Sequence, residues 1–246
     1  MLLLAVSSPA RGEKMAGDKL FEAFRQDERG FIEAVAAGAL SDALAQAAAL
    51  PGGVNVTGTG GETALLVAVS GLDRKMVSGL LKAGANPDGG KANAPLTVAI
   101  RAKDLTVAKL LLEGGADPDG RGGSRTALHE AALNGAEPAI DLLLASGASI
   151  NATDAVGSTP VLMAAGADHW TTVDLLLDHG ASVWAHSTSG VTLGLYAASS
   201  RLLPTSAEGK ALALVVDKLK GKRFPWPPPA PEAVRQAVAN HTWPKP

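Results

Sequence analysis

The stretch Thr126–Ala148, TALHEAALNGAEPAIDLLLASGA, decides the fold of this 246-residue chain. Its threonine can cap a helix N-terminus through the side-chain oxygen. An alanine-rich segment follows, short enough and small enough in side chain to let neighbouring helices approach closely. After a glycine break, a second segment presents the pair Leu143-Leu144 to a core. Gly147 then ends that helix, since glycine adopts φ > 0 without a Cβ penalty.

The same unit recurs along the chain. The doublet Gly-Ala stands at Gly84-Ala85, Gly115-Ala116, Gly147-Ala148 and Gly180-Ala181, spaced by 31, 32 and 33 residues. A leucine pair precedes each doublet at one distance: Leu80-Leu81, Leu111-Leu112, Leu143-Leu144 and Leu176-Leu177. Further upstream come Thr63-Ala64-Leu65, Ala94-Pro95-Leu96, Thr126-Ala127-Leu128-His129 and Thr159-Pro160-Val161. Proline at the first helical position loses no hydrogen bond. Polar stretches at 86–92, 117–124, 151–158 and 182–190 supply turns between units. Three features locked in one phase mark a repeat array.

These residues resemble the ankyrin family, whose repeat carries Thr-Pro-Leu-His, then Ala-Ala, Leu-Leu and Gly-Ala. The resemblance is strong over about residues 61–198. It implies an all-α ankyrin-repeat solenoid of helix-turn-helix units with β-hairpin-like turns. On this reading, residues 1–17 are a disordered N-terminus or the remnant of a signal peptide. Residues 18–60 form an N-terminal helix, at 18–24, and a degenerate capping repeat, with its inner helix at 34–38, its outer helix at 44–50 and a hairpin at 54–56. Four repeats occupy 61–190, and a degenerate C-terminal repeat 191–224, its outer helix at 209–220 delayed by an insertion at 201–206. Terminal units depart from the pattern because one of their faces meets solvent. Residues 225–246 form a Pro/Trp-rich tail, including a short helix at 231–239, whose Trp226 and Trp243 pack on the last repeat; the competing reading of Pro225–Pro229 is a polyproline ligand.

Composition limits the chemistry. The chain is 46% apolar but only 4% aromatic, and its net charge of −2 comes from 22 basic and 24 acidic residues without long runs. No basic footprint for nucleic acid is present, nor an apolar run long enough for membrane insertion. The absence of cysteine removes disulfides, thiolate nucleophiles and Cys-ligated metals. The five histidines, His129, His169, His179, His186 and His241, lack metal-ligand spacing, and His129 at the motif position is expected to bond backbone within and between repeats. Trp170 is expected to pack between units. The serines lack a nucleophile elbow, and Gly115–Gly123 lacks the Lys-Ser/Thr ending of a P-loop. Catalytic residues, metals and cofactors are therefore not expected.

What remains is a non-enzymatic module binding a partner protein through its concave groove, monomeric when free. The hairpin tips offer Lys91, Asn93, Arg121, Arg125, Asp154, Trp184 and His186, and the inner helices Lys103, Glu130, Asn134 and Met163. Trp184 is the leading anchor, since aromatic and arginine side chains are common hot spots; the alternative is that it folds back against Tyr196. The Ala-, Gly- and Pro-rich composition suggests a bacterial source, and the resemblance to stand-alone bacterial ankyrin proteins implies an immunity or inhibitor role. Two other functions are carried: an enzyme or ligand binder using 201–246 as a lid, with a pocket beside Trp226, and a scaffold for several weak partners. The chain would be periplasmic if Leu2–Ala10 ends a signal peptide, and otherwise cytoplasmic.

Overall fold

A computed structural model describes residues 20–90 and 94–244. The chain divides into two units, residues 1–123 and 124–246.

In the first unit three helix pairs follow one another. They are α1 (Arg29–Ala36) with α2 (Leu40–Ala49), α3 (Ala64–Ser70) with α4 (Arg74–Lys82), and α5 (Pro95–Arg101) with α6 (Leu105–Glu113). The unit ends in a two-residue strand, β1 (Arg121–Gly122). The first helix of each pair packs on the first helix of the next, α1 on α3 and α3 on α5, and the second helices do the same. Caps fix the starts. Thr63 accepts from the Leu66 N–H, Asp73 from Met76, and Asp104 from both Thr106 and Val107. The core is built from fully buried Leu65, Leu66, Met76, Leu80, Leu96 and Leu111, with alanines between them that let the short helices close up.

The second unit opens with β2 (Arg125–Thr126), then α7 (Ala127–Leu133), α8 (Glu137–Ala145), α9 (Pro160–Gly166) and α10 (Trp170–Asp178). It continues with α11 (Leu193–Ser199), α12 (Ala207–Gly221) and α13 (Pro231–Ala239). The first helices α7, α9 and α11 stack in order, and α12 packs along α10. Glu208, in the first turn of α12, accepts from the Thr171 N–H at 2.8 Å and from its hydroxyl at 3.0 Å, which ties the late outer helix to the start of α10. Trp170 is completely buried, its indole N–H given to Asp168 at 2.9 Å.

The four glycines of the Gly-Ala doublets lie at φ 88 to 94°, where only glycine is unstrained. A second periodic device joins the repeats. Asn55 accepts from the Asn86 N–H at 2.7 Å, Asp88 from Asp117 at 2.7 Å, and Asn151 from Ser182 at 2.9 Å. At each step a short polar side chain in one turn satisfies a backbone donor of the next repeat. The equivalent position one unit later, 33 residues after Asn151, is Trp184. It carries no acceptor, and the ladder stops there.

The structure corrects several local expectations. The inner helix of the first unit begins at Arg29 and its partner at Leu40, and residues 53–55 form a 3₁₀ turn instead of a hairpin. Residues 20–22 are helical, while residues 1–19, Lys91, Asn93 and residues 245–246 lie outside the described residues. Thr159 makes no cap, and its buried hydroxyl has no hydrogen-bond partner among the described residues. Trp226 does not pack down: it is 40% exposed, with the Lys220 ammonium 5.5 Å from its ring centre.

Candidate protein-interaction surface

In the second unit the turn before α9 is organised by one carboxylate. Asp154 accepts from the Val156 and Ser158 N–H groups, each at 2.9 Å, and its side chain is only 4% exposed. Asp154 therefore builds its own turn and does not project from it as the sequence suggested. The Arg125 guanidinium lies 3.8 Å from Asp154 and 3.9 Å from Glu130. Glu130, expected on an exposed helix face, is buried. Arg125 remains half-exposed between the two carboxylates.

The turn bearing Asp154 ends in an apolar residue, Val156, 55% exposed. Its carbonyl accepts both the N–H and the hydroxyl of Thr188 in the following turn, at 2.9 and 3.0 Å. These bonds leave the valine side chain outside, on a backbone held from two repeats.

Counting from the motif threonine, the fifth residue of each inner helix in this unit is Glu130, Met163 and Tyr196. Met163 and Tyr196 are half-buried. A Cβ on Gly166 would meet the Tyr196 ring at 3.4 Å, so the tyrosine lies along the bare, exposed end of α9. Asn134, exposed at the C-terminus of α7, donates to the Glu130 carbonyl at 2.8 Å. In the first unit Arg121 is exposed on β1. Lys103, expected on an inner helix, stands instead in the turn between α5 and α6 at φ 60°.

Trp184 and His186 belong to a different arrangement. The Trp184 ring stacks on Phe224 at 5.2 Å between centres, and Trp243 meets it edge-on at 5.8 Å. The Trp243 indole N–H donates to the Trp184 carbonyl at 3.2 Å, and its ring stands 6.4 Å from His186. Trp184 is neither a projecting anchor nor folded against Tyr196; it supports the tail.

Beside Trp184 runs an open groove of about 680 Å³, lined by Leu177, Val183, Trp184, Lys218 and Lys222 among others. Its carboxylate, Asp178, pairs with Lys218, as does Asp174. Burial works to lower the Lys218 pKa, but the hydrogen bonds and charges of the two aspartates outweigh it and hold the ammonium above the ordinary lysine range. Among the described residues no group of three or more histidines and carboxylates is placed to hold a metal ion, and no helix is long and apolar enough to cross a membrane.

Two residues of this surface escaped the sequence reading. Val156 could have been found as the one large apolar side chain in an otherwise polar turn, and Tyr196 as the residue 33 positions after Met163.

Comparison with known proteins agrees with the repeat. The family model for ankyrin repeats matches residues 80–154 and 128–205, just over half of the chain together. The chain therefore belongs to the ankyrin-repeat family, and its fold is the all-α fold of that family. An ankyrin repeat domain from Acinetobacter baumannii aligns with a TM-score of 0.66 at 23% identity, over 77% of this chain and 98% of that one. The ankyrin repeat domain of Bcl-3, a member of the IkappaB protein family, aligns with a TM-score of 0.66 at 24% identity, over 85% and 97%. No curated protein sequence gives a match. Ankyrin repeats are in general protein-protein interaction modules, typically without enzymatic activity.

Proposed function

We propose that the chain is a non-enzymatic protein-binding module that holds its partner on the inner-helix face and turn tips of its second unit. The observation carrying this is the placement of Met163 and Tyr196, two large side chains left half-exposed at the inner-helix position that holds Val67 and Val98 in the first unit. Val156, Arg125 and Asn134 add apolar, cationic and amide groups, with Glu130 and Asp154 holding Arg125 in place. A rigid scaffold with aromatic and arginine anchors loses little entropy on docking, which suits tight binding.

Within that reading, a bacterial immunity or inhibitor protein is the role this small repeat chain fits best, holding one target in a stable complex of roughly 1,600 Å² or more. Affinity capture with the wild type and with a Val156→Asp, Tyr196→Ala double variant, followed by calorimetry on the captured protein, tests it. One stoichiometric partner, lost in the variant, supports the proposal. A partner held equally by both forms overturns the surface, and several micromolar partners would instead define a scaffold.

A further inference from the structure

The last repeat is packed from helices that precede the tail. Leu193, Val215 and Leu219 are fully buried, and α12 already lies along α10. Residues 225–244 are added outside this core, and their attachment is narrow. Of α13 only Val234 is buried; Glu232, Ala233, Arg235, Gln236 and Val238 are exposed. A helix of nine residues is too short to persist in water undocked.

Besides the Lys220 ammonium over the Trp226 ring, three contacts among the described residues hold the tail. Arg235 donates to the Ser189 carbonyl at 2.7 Å. Gly190, at φ 82°, lies so close beneath Pro231 that a Cβ would stand 2.1 Å from the Pro231 carbonyl oxygen. Trp243 closes over Trp184, Phe224 and His186 as described above. These three fall on a single turn, 184–190, and on Phe224, at the position where the inter-repeat ladder has lost its acceptor.

We propose that residues 225–244 form a detachable latch, which opens as a unit while the repeats stay folded and uncovers Trp184 and His186. The occupant of this end face is the chain's own tail, held in cis: α13 laid on the turn, with an indole inserted as its terminal anchor. Local opening of this kind is expected where a segment has few buried apolar contacts and an exposed backbone. The proposal rests on the tail contacts alone and does not depend on the binding surface formed by Met163 and Tyr196.

The chain contains no cysteine, so one introduced thiol reports exposure cleanly. In full-length His186→Cys protein, thiol labelling is compared with and without Trp243→Ala and Arg235→Ala, alongside hydrogen exchange of α13 and α10. A latch predicts that α13 amides exchange faster than those of α10 in the unaltered chain. It also predicts that the tail variants accelerate labelling and α13 exchange by about tenfold or more while α10 keeps its rate within about twofold. Equal acceleration of α10, or α13 exchanging only as slowly as α10 in the unaltered chain, would overturn the latch and make the tail a fold-completing cap. A dimer by light scattering, with tails exchanged between copies, would overturn the in-cis assignment. Val234→Asp provides a second, independent opening variant with the same two readouts.

Discussion

His129 donates from Nε2 to the carbonyl of Ser158, 29 residues along the chain, at 2.9 Å, while its Nδ1 accepts from the Thr126 hydroxyl at 2.8 Å. A carbonyl can only accept, so the proton sits on Nε2 and the Thr126 hydroxyl donates to the other nitrogen. One fully buried ring thus caps its own helix and holds the turn of the next repeat.

Replacing His129 takes the acceptor from the buried Thr126 hydroxyl and one of two donors from the Ser158 carbonyl, which keeps the Asp154 N–H. His129→Ala should cost about 2–4 kcal/mol in urea unfolding, combining a cavity with the loss of both bonds. His129→Phe, which restores volume but no polar group, should still lose about 1–2 kcal/mol. A loss under about 0.5 kcal/mol for both would refute the inter-repeat role.

Trp184→Ala should weaken the C-terminal end by roughly 2 kcal/mol through the lost stacking on Phe224 and Trp243. Affinity for a partner docked on Met163 and Tyr196 should remain within about twofold, because Trp184 faces the tail. Calorimetric titration beside thermal melts separates the two effects; a large affinity loss with an unchanged melt would restore Trp184 as the anchor.

Asp104 caps α6 and accepts from Arg74 at 3.0 Å. Burial alone would raise its pKa, but the N–H groups of Val107 and Thr106 and the Arg74 guanidinium hold it below the ordinary 3.8. With the folded value depressed, its contribution is present above the unfolded pKa and fades as pH falls through the folded one. The gap in urea midpoint between wild type and Asp104→Ala should be constant above about pH 5 and narrow steadily below pH 4. A gap unchanged at pH 2.5 would contradict this.

Lys218 gives the opposite sign. Its folded pKa is raised above 10.5 by Asp174 and Asp178. Its contribution is complete below the unfolded pKa and lost as pH rises through the folded one. Thermal midpoints should therefore drop more steeply above about pH 10.5 in the wild type than in Lys218→Met.

The repeat could be read from the chain because it is written in local chemistry repeated in phase. Glycine at Gly84, Gly115, Gly147 and Gly180 is demanded by a backbone conformation other residues avoid. Buried alanines are demanded by close helix approach, and the leucines by the core they fill. Thr63 and Thr192 cap as threonines before helices do, whereas Thr159 does not, its buried hydroxyl without a partner among the described residues.

Side-chain direction was a different matter. Asp154, Glu130 and Trp184 were read as exposed because polar or aromatic residues in turns and on helix faces commonly are. Each was instead turned inward by a partner distant in sequence or set by the local turn: the Val156 and Ser158 amides, the Arg125 guanidinium, and Phe224 with Trp243, the last 59 residues away from Trp184. Periodicity thus carried the all-α repeat and the order of its units, since period and turn conformation are local properties. Which tip residues face solvent was set in part by bonds inside one turn, as at Asp154, whereas the inward turn of Trp184 and the closing of the last turn by the tail depended on contacts between segments far apart in the chain, whose geometry exists only once the repeats have stacked.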